Sequence, residues 1–289
     1  MDLSSYRRQA KLRNWDKLFE LFLDASTDYS KKTALDYGCD VGITTKILAS
    51  KFGRVVGVTE SPMLLEDSKV VLAGFSNATV EYAPELLSFD AYGEQFDFLF
   101  SGYHIAYMGD VVKTLTHFST LLKPDGILVI VEIQGLFAIH SPLGKYKPWF
   151  ENFDKQVLGS IGYRSNAGEV LNEACMSIDE LKVLSYLDWS DEELSFNGPA
   201  LPGSPVYQAW EERWRRLWPL MSEAGVPDGL RDAFFNCLQS PEHSCDKPVK
   251  ILLAKKKAKS LPLETPEKFE DDLDLRSPQY YSSSRGGEG

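Results

Sequence analysis

The sequence predicts an α/β chain built on a doubly wound, mostly parallel sheet, with a smaller helical and aromatic insertion. Three observations carry that expectation. Residues 33–49 read as an apolar strand that breaks at glycines and runs on into a helix. A second apolar strand, Arg54-Val55-Val56-Gly57-Val58-Thr59, follows one helix later and ends at Glu60. Strand and helix patterns then alternate to about residue 133, and such repetition with apolar strands implies a parallel sheet covered on both faces.

The first unit, Thr33-Ala34-Leu35-Asp36-Tyr37-Gly38-Cys39-Asp40-Val41-Gly42, continues helically through Lys46, Ile47, Leu48 and Ala49. A strand, a Gly-x-x-x-Gly turn and a helix start point backbone amides and a helix N-terminus at a ligand. Glycine lets that ligand approach the main chain. Glu60 lies 18 residues after Gly42, and a carboxylate at the end of the second strand is placed to accept both hydroxyls of a ribose. The plainer alternative is that Glu60, with Ser61 and Pro62, only caps the next helix.

Along the chain, residues 6–29 place Tyr6, Leu12, Trp15, Leu18, Phe19 and Phe22 at intervals of three and four over much of the run, the pattern of an amphipathic helix. Such a helix either packs on the sheet or forms a lid whose aromatics turn toward substrate. Strands are expected at 33–37, 54–59, 79–83, 96–101 and 126–133, with helices near 42–51, 62–73 and 110–122. Gly102-Tyr103-His104-Ile105-Ala106-Tyr107-Met108 forms a loop at the carboxyl end of the fourth strand, where ligands of such sheets bind. Lys123-Pro124-Asp125-Gly126 reads as a turn before a buried strand. Residues 135–175, rich in glycine, lysine and aromatics, read as an insertion. Ser177 and Glu180 match a capping box and predict a helix restart there. An aromatic helix is expected over 207–221 and a last strand at 250–254.

The expected organisation is therefore an N-terminal helical lid (1–32), a cofactor-binding core (33–134), a substrate-binding insertion with the C-terminal part of the sheet (135–254), and a disordered tail (255–289) whose charged and Ser/Gly-rich blocks carry little apolar material.

With 289 residues, 43% of them hydrophobic, the chain can bury a full core. A net charge of −11 disfavours a nucleic-acid partner. No apolar run approaches the length of a membrane span and the N-terminus is too polar for a signal peptide, so a cytoplasmic monomer without membrane contact is expected. The four cysteines (Cys39, Cys175, Cys237, Cys245) are scattered, fit reduced thiols, and offer no metal-ligand spacing even with His243 nearby.

In order, the segment Asp36 to Gly42, the strand ending in Glu60-Ser61-Pro62-Met63, the strand Phe96-Asp97-Phe98-Leu99-Phe100 and the turn Leu122-Lys123-Pro124-Asp125-Gly126 resemble the motifs of class I S-adenosylmethionine-dependent methyltransferases. The resemblance implies a Rossmann-like fold and S-adenosyl-L-methionine as cofactor, with Gly38, Gly42, Glu60 and the backbone around Gly102 holding it. Glu85 is the nearest match to the acid that receives the adenine amino group. Many relatives carry a third glycine where this chain has Asp40.

A further resemblance, over most of the chain, is to the histamine N-methyltransferase family. It is carried by residues 22–28, the end of the Glu60 strand, Phe96-Asp97-Phe98, Tyr107, residues 226–231 and residues 238–242. It implies that an acid at Asp28 pairs with a substrate ammonium and that Trp15, Phe19 and Tyr107 enclose a flat ring. Tyr103 falls where that family has a glutamine touching substrate, so an amine or imidazole related to histamine is the safer expectation.

The chemistry agrees. A sulfonium methyl is already activated, so the protein has to align a neutral nitrogen lone pair and exclude water, without a metal. His104 is a candidate acceptor of the released proton. Methylation of an oxygen or carbon in another small molecule, and a methyltransferase fold that only binds, are the alternatives.

Overall fold

A computed structural model describes residues 7, 13–85, 88–90, 96–133, 144–159, 166–190, 196–197, 199–241, 244–245 and 248–258. Strands β1 (Thr33–Tyr37), β2 (Arg54–Thr59), β3 (Ala78–Tyr82), β4 (Phe96–Gly102) and β5 (Leu122–Ile133) lie parallel. With β6 (Leu181–Ser190) and β9 (Pro248–Lys256) they form a seven-stranded sheet in the order β3-β2-β1-β4-β5-β9-β6, in which β9 runs antiparallel to both neighbours. The two-residue strands β7 (Phe196–Asn197) and β8 (Ser244–Cys245) pair separately. The expected class, a mostly parallel Rossmann-like sheet, is the one observed.

The central strands are buried on both faces because every other position, and most in between, is apolar: Ala34, Leu35, Val55, Val58, Leu99, Val129 and Ile130 are all sealed from solvent. Helices α1 (Trp15–Glu20), α2 (Ile43–Ala49), α3 (Pro62–Leu72) and α4 (Val111–Leu121) start where polar side chains or a left-handed glycine end the preceding segment. Asn14, Ser61 and Asp110 each accept a hydrogen bond from the third residue beyond them, the usual way to satisfy a free helix N–H. Helices α5 (Lys147–Asn152), α6 (Ala167–Met176), α7 (Pro205–Glu223) and α8 (Leu230–Leu238) follow β5 in the chain. Two of the tryptophans of α7 meet α8, the rings of Trp210 and Trp214 lying 5.2 and 5.0 Å from that of Phe234.

Four expectations change. The N-terminal helix is described only over α1 and Arg7. Beyond Glu20 the chain turns, with Asp24 accepting from the Ser26 amide at 2.8 Å, a local bond that competes with helix. The helix restart at Ser177 is absent: Ser177 instead closes α6, its hydroxyl donating to the Ala174 carbonyl at 2.7 Å, and Leu181 opens β6. Pairing of β6 with β9 over its whole length outweighs the local capping pattern. The Lys123-Pro124-Asp125-Gly126 turn is a bulge inside the β5 pairing, between Phe96↔Leu122 and Phe98↔Ile127, with Asp125 at φ +66°. Lys255 and Lys256 belong to β9, Lys257 and Ala258 follow it, and the remainder of the expected tail, 259–289, lies outside the described residues. Met1–Ala258 cluster as one compact unit.

Candidate functional site

The sheet reverses its winding between β1 and β4, since β2 and β3 extend one way and β5 the other. The crevice outside the carboxyl ends at such a reversal is where this architecture holds ligands. Three segments border it here: the 38–42 loop after β1, Glu60 and Ser61 after β2, and residues 103–108 after β4.

The first loop is pinned from below. The amides of Gly38 and Cys39 donate to the Val58 carbonyl at 3.0 and 2.9 Å, which ties the loop to the strand that ends in Glu60. The Asp36 carboxylate, 1% exposed, accepts from Thr44 Oγ1 at 2.7 Å and Thr45 Oγ1 at 2.6 Å and so anchors the start of α2. Burial raises its pKa to about 6 against these bonds. Gly57 in β2 is part of the same fit. A Cβ there would come within 3.0 Å of Cys39 Sγ and 2.9 Å of Thr45 Oγ1.

Both expected glycines adopt positive φ, +79° at Gly38 and +81° at Gly42, but what presses on them is protein. A Cβ on Gly38 would lie 2.6 Å from Cγ of His104, and one on Gly42 would lie 2.9 Å from Cβ of Ser68 in α3. The loop is thus packed against the β4 loop on one side and α3 on the other. Between them Asp40 takes φ +47°, a left-handed conformation that aspartate tolerates better than most residues. Burial lifts Asp40 to about 7; Arg216 and Arg13 oppose that rise, and the charges of Asp36 and Glu60 add to it. Glu60 stands at the rim beside it, exposed, with partial desolvation raising its carboxyl above the usual range.

The β4 side is aromatic. Gly102 has the Trp15 and Phe100 rings where a side chain would be, with contacts at 3.1 and 3.0 Å. Tyr103, at φ +57°, lies edge-on to Trp15 at 5.6 Å and carries the Arg13 guanidinium 3.7 Å above its ring. Two non-glycine left-handed residues, Asp40 and Tyr103, therefore flank one crevice, and backbone strain of this kind gathers at functional sites. Tyr107 leaves 42% of its surface open, while desolvation raises its phenol; Arg216 and Arg213 counter this and Glu132 and Asp40 reinforce it. Glu132, buried at the end of β5, accepts from the Ala106 amide at 3.0 Å and fixes the turn that presents Tyr107.

His104 is 8% exposed, and burial lowers its pKa to about 4, so the ring is neutral near neutral pH. A base that weak holds a released proton poorly. Its Nε2, like Ser101 Oγ at the end of β4, is buried with no hydrogen bond among the described residues.

Gly38, Gly42, Glu60, Gly102, Tyr103, His104 and Tyr107 thus come together at one edge, with Trp15 behind Gly102. Three expected site residues do not take the expected place. Asp28 lies before β1 at the opposite, amino edge, where its carboxylate accepts from the Ser30 amide at 2.9 Å and Ser30 packs on Gly53. The six residues of β2 separate Gly53 from Glu60, roughly 20 Å of strand. Asp28 instead lines a surface cleft of ≈ 690 Å³ with Asp24, Tyr29 and Lys51. Phe19 is fully buried between Phe22 and Phe100, 5.2 and 4.8 Å away, and serves as core. Glu85 sits exposed in a turn after β3, its carbonyl accepting from Ser88.

The sequence reading also passed over Arg13, Arg213 and Arg216. Arg213 lies on the buried face of α7 with Trp210, Trp214 and Leu217. An arginine at helical spacing within an apolar stripe was the available signal.

The sequence matches the methyltransferase domain family over residues 6–182, more than half of the chain. The chain belongs to that family. Among solved structures, this methyltransferase is similar to the [4+2]-cyclase SpnF (17% identity, 84% of this chain and 82% of that one covered, TM-score 0.56). It is similar also to the YcgJ protein of Bacillus subtilis (16%, 84% and 99%, 0.54). A third likeness is to geranyl diphosphate C-methyltransferase of Streptomyces coelicolor, bound to S-adenosyl-L-homocysteine (15%, 84% and 77%, 0.50). At these identities the likeness is one of fold. No curated protein matches the sequence.

S-adenosylmethionine is the cofactor, and the residues fit it. Glu60 offers an exposed carboxylate just after β2, the loop at Gly38 and Asp40 lies at the switch point, and Ser101 and His104 bring buried polar atoms to the same edge. Among the described residues no group of side chains could hold a metal ion and no helix is long and apolar enough to cross a membrane.

Proposed function

We propose that the protein transfers a methyl group from S-adenosylmethionine to a nitrogen of a small amine or imidazole. When bound, S-adenosylmethionine supplies a methyl activated by its sulfonium. Everything else falls to the chain. An amine reacts as its free base, so the ammonium form must lose a proton near neutral pH, and the most effective base has a pKa close to the working pH. The observation that carries the reading is Asp40, a left-handed residue within electrostatic reach of Glu60 and Tyr107 whose carboxyl is lifted by burial to about 7.

In this reading Asp40 replaces Asp28 as the acid that meets the amine. Tyr103 and Tyr107 form the wall for a flat acceptor, Trp15 and Arg13 close the lid over Tyr103, and Glu132 holds the turn that carries Tyr107. Of segment 1–32, the stretch at Arg13 and Trp15 serves as the lid, and segment 135–254 serves as the acceptor-binding part. A cation against one aromatic face gains about 0.5–2 kcal/mol.

Arg213 and Arg216, within electrostatic reach of Tyr107, favour a second form of the reading in which the acceptor also carries a carboxylate or phosphate. The test is a panel of small amines, imidazoles and amino acids incubated with labelled S-adenosylmethionine, with the methyl located by mass spectrometry. A methyl found on nitrogen supports the proposal. Transfer to oxygen or carbon alone, or none from protein that binds the cofactor, refutes it.

A further inference from the structure

His104 occupies an unusual place. Its ring lies against Gly38, with Cγ, Nδ1 and Cδ2 at 2.6, 2.9 and 3.0 Å from the Cβ position of that residue. The face that touches Gly38 is therefore the Cγ side, and Nε2 is on the far side of the ring. That nitrogen is buried, and no described residue hydrogen-bonds it. A buried polar atom without a partner costs about 1–3 kcal/mol, a cost that a bound partner relieves.

Position narrows the partner. His104 follows β4 and Gly38 follows β1, so the ring bridges the two strands whose separation opens the ligand crevice. Glu60, at the end of the next strand over, is two strands away from β4 on the ribose side. For a nucleoside seated on Glu60, a 5′ substituent running across the carboxyl ends of β2, β1 and β4 reaches Gly38 and the β4 loop, and that is the path proposed for the amino-acid head of the cofactor. The carboxylates of Asp36 and Glu60, whose charges act on the same loop, favour the cationic end of that head. A neutral imidazole nitrogen can accept one hydrogen bond from an ammonium.

We infer that His104 is a cofactor-positioning residue whose Nε2 accepts a hydrogen bond from the α-ammonium of the amino-acid head. The inference rests on the cofactor assignment. It gives His104 a task other than holding the reaction's proton, and its low basicity suits that task, because the ring stays an acceptor across the neutral range.

The test is calorimetric binding of S-adenosylhomocysteine and of its α-deaminated analogue to the wild-type protein and to His104→Phe, which keeps a flat ring against Gly38 and removes the nitrogen. Wild-type protein is expected to prefer S-adenosylhomocysteine, and His104→Phe to lose about 10–100-fold of that preference, the worth of one hydrogen bond to a charge. The 15N resonance of His104 Nε2 in the wild type is expected to shift on adding S-adenosylhomocysteine and to stay put with the analogue. If the preference is the same in both proteins, or the resonance does not respond, the assignment fails while the cofactor reading stands. Wild-type protein that binds neither ligand overturns both.

Discussion

An alanine at Gly38 would place a methyl group 2.6 Å from Cγ of His104 and force an L-residue to φ +79°. The two penalties are separable. The left-handed backbone costs about 1–2 kcal/mol for a residue with a Cβ. Overpacking against a ring held in a buried site costs about 1–3 kcal/mol more, since His104 is 8% exposed and has little room to retreat. Gly38→Ala is expected to lower the unfolding free energy by about 2–5 kcal/mol on those terms. In a His104→Ala background the methyl meets space, and only the backbone part remains. A double-mutant cycle by urea unfolding should therefore give a coupling of about 1–3 kcal/mol between positions 38 and 104. If Gly38→Ala costs the same with and without the His104 ring, within about 0.5 kcal/mol, then the ring is not the neighbour that demands glycine and the packing argument is wrong.

Other perturbations test the rest of the site. Burial raises Asp36 from 3.8 to about 6, so between those values the folded protein keeps a proton that the unfolded chain has lost, and stability falls as pH rises through that window before levelling off. At 1.36 kcal/mol per unit this is about 3 kcal/mol. Asp36→Asn should flatten that part of the decline in urea titrations at successive pH values, leaving the share of Asp40, whose raised value acts in the same direction up to about 7. Equal slopes for both proteins would contradict it. Glu60→Gln should weaken S-adenosylhomocysteine about 10–100-fold in calorimetry by removing a charged acceptor from the ribose hydroxyls, and an unchanged affinity would remove Glu60 from the site. Asp28→Ala should leave that affinity within about 2-fold, because β2 sets the two edges roughly 20 Å apart; a large loss would mean that the amino-edge cleft communicates with the crevice.

How far the chain could be read depended on whether a signal was local. The strand at 33–37, the glycine turn and the strand closing at Glu60 are continuous patterns in one stretch, and each element formed where its apolar spacing put it. Residues 177–190 misled because a Ser-x-x-Glu pair looks the same before a helix as after one. Only the presence of β9, some 60 residues on, turns Leu181–Ser190 into a strand. Asp28 misled for a related reason. Its neighbours in sequence match a substrate-binding pattern, yet the turn at Ser30 commits the chain to the amino end of β1.

By itself the sequence determined the class of the fold, the positions of its first five strands, and the placing of the glycine loop and Glu60 just after the first and second of them, because apolar periodicity and glycine act over a few residues. Only the tertiary structure decided that His104 fills the space above Gly38, that Arg13 and Arg216 reach Asp40 from elements two hundred positions apart, and that Phe19 is core. Those outcomes depend on which surfaces the packed sheet brings face to face, and burial then sets the charge that each titratable group can carry.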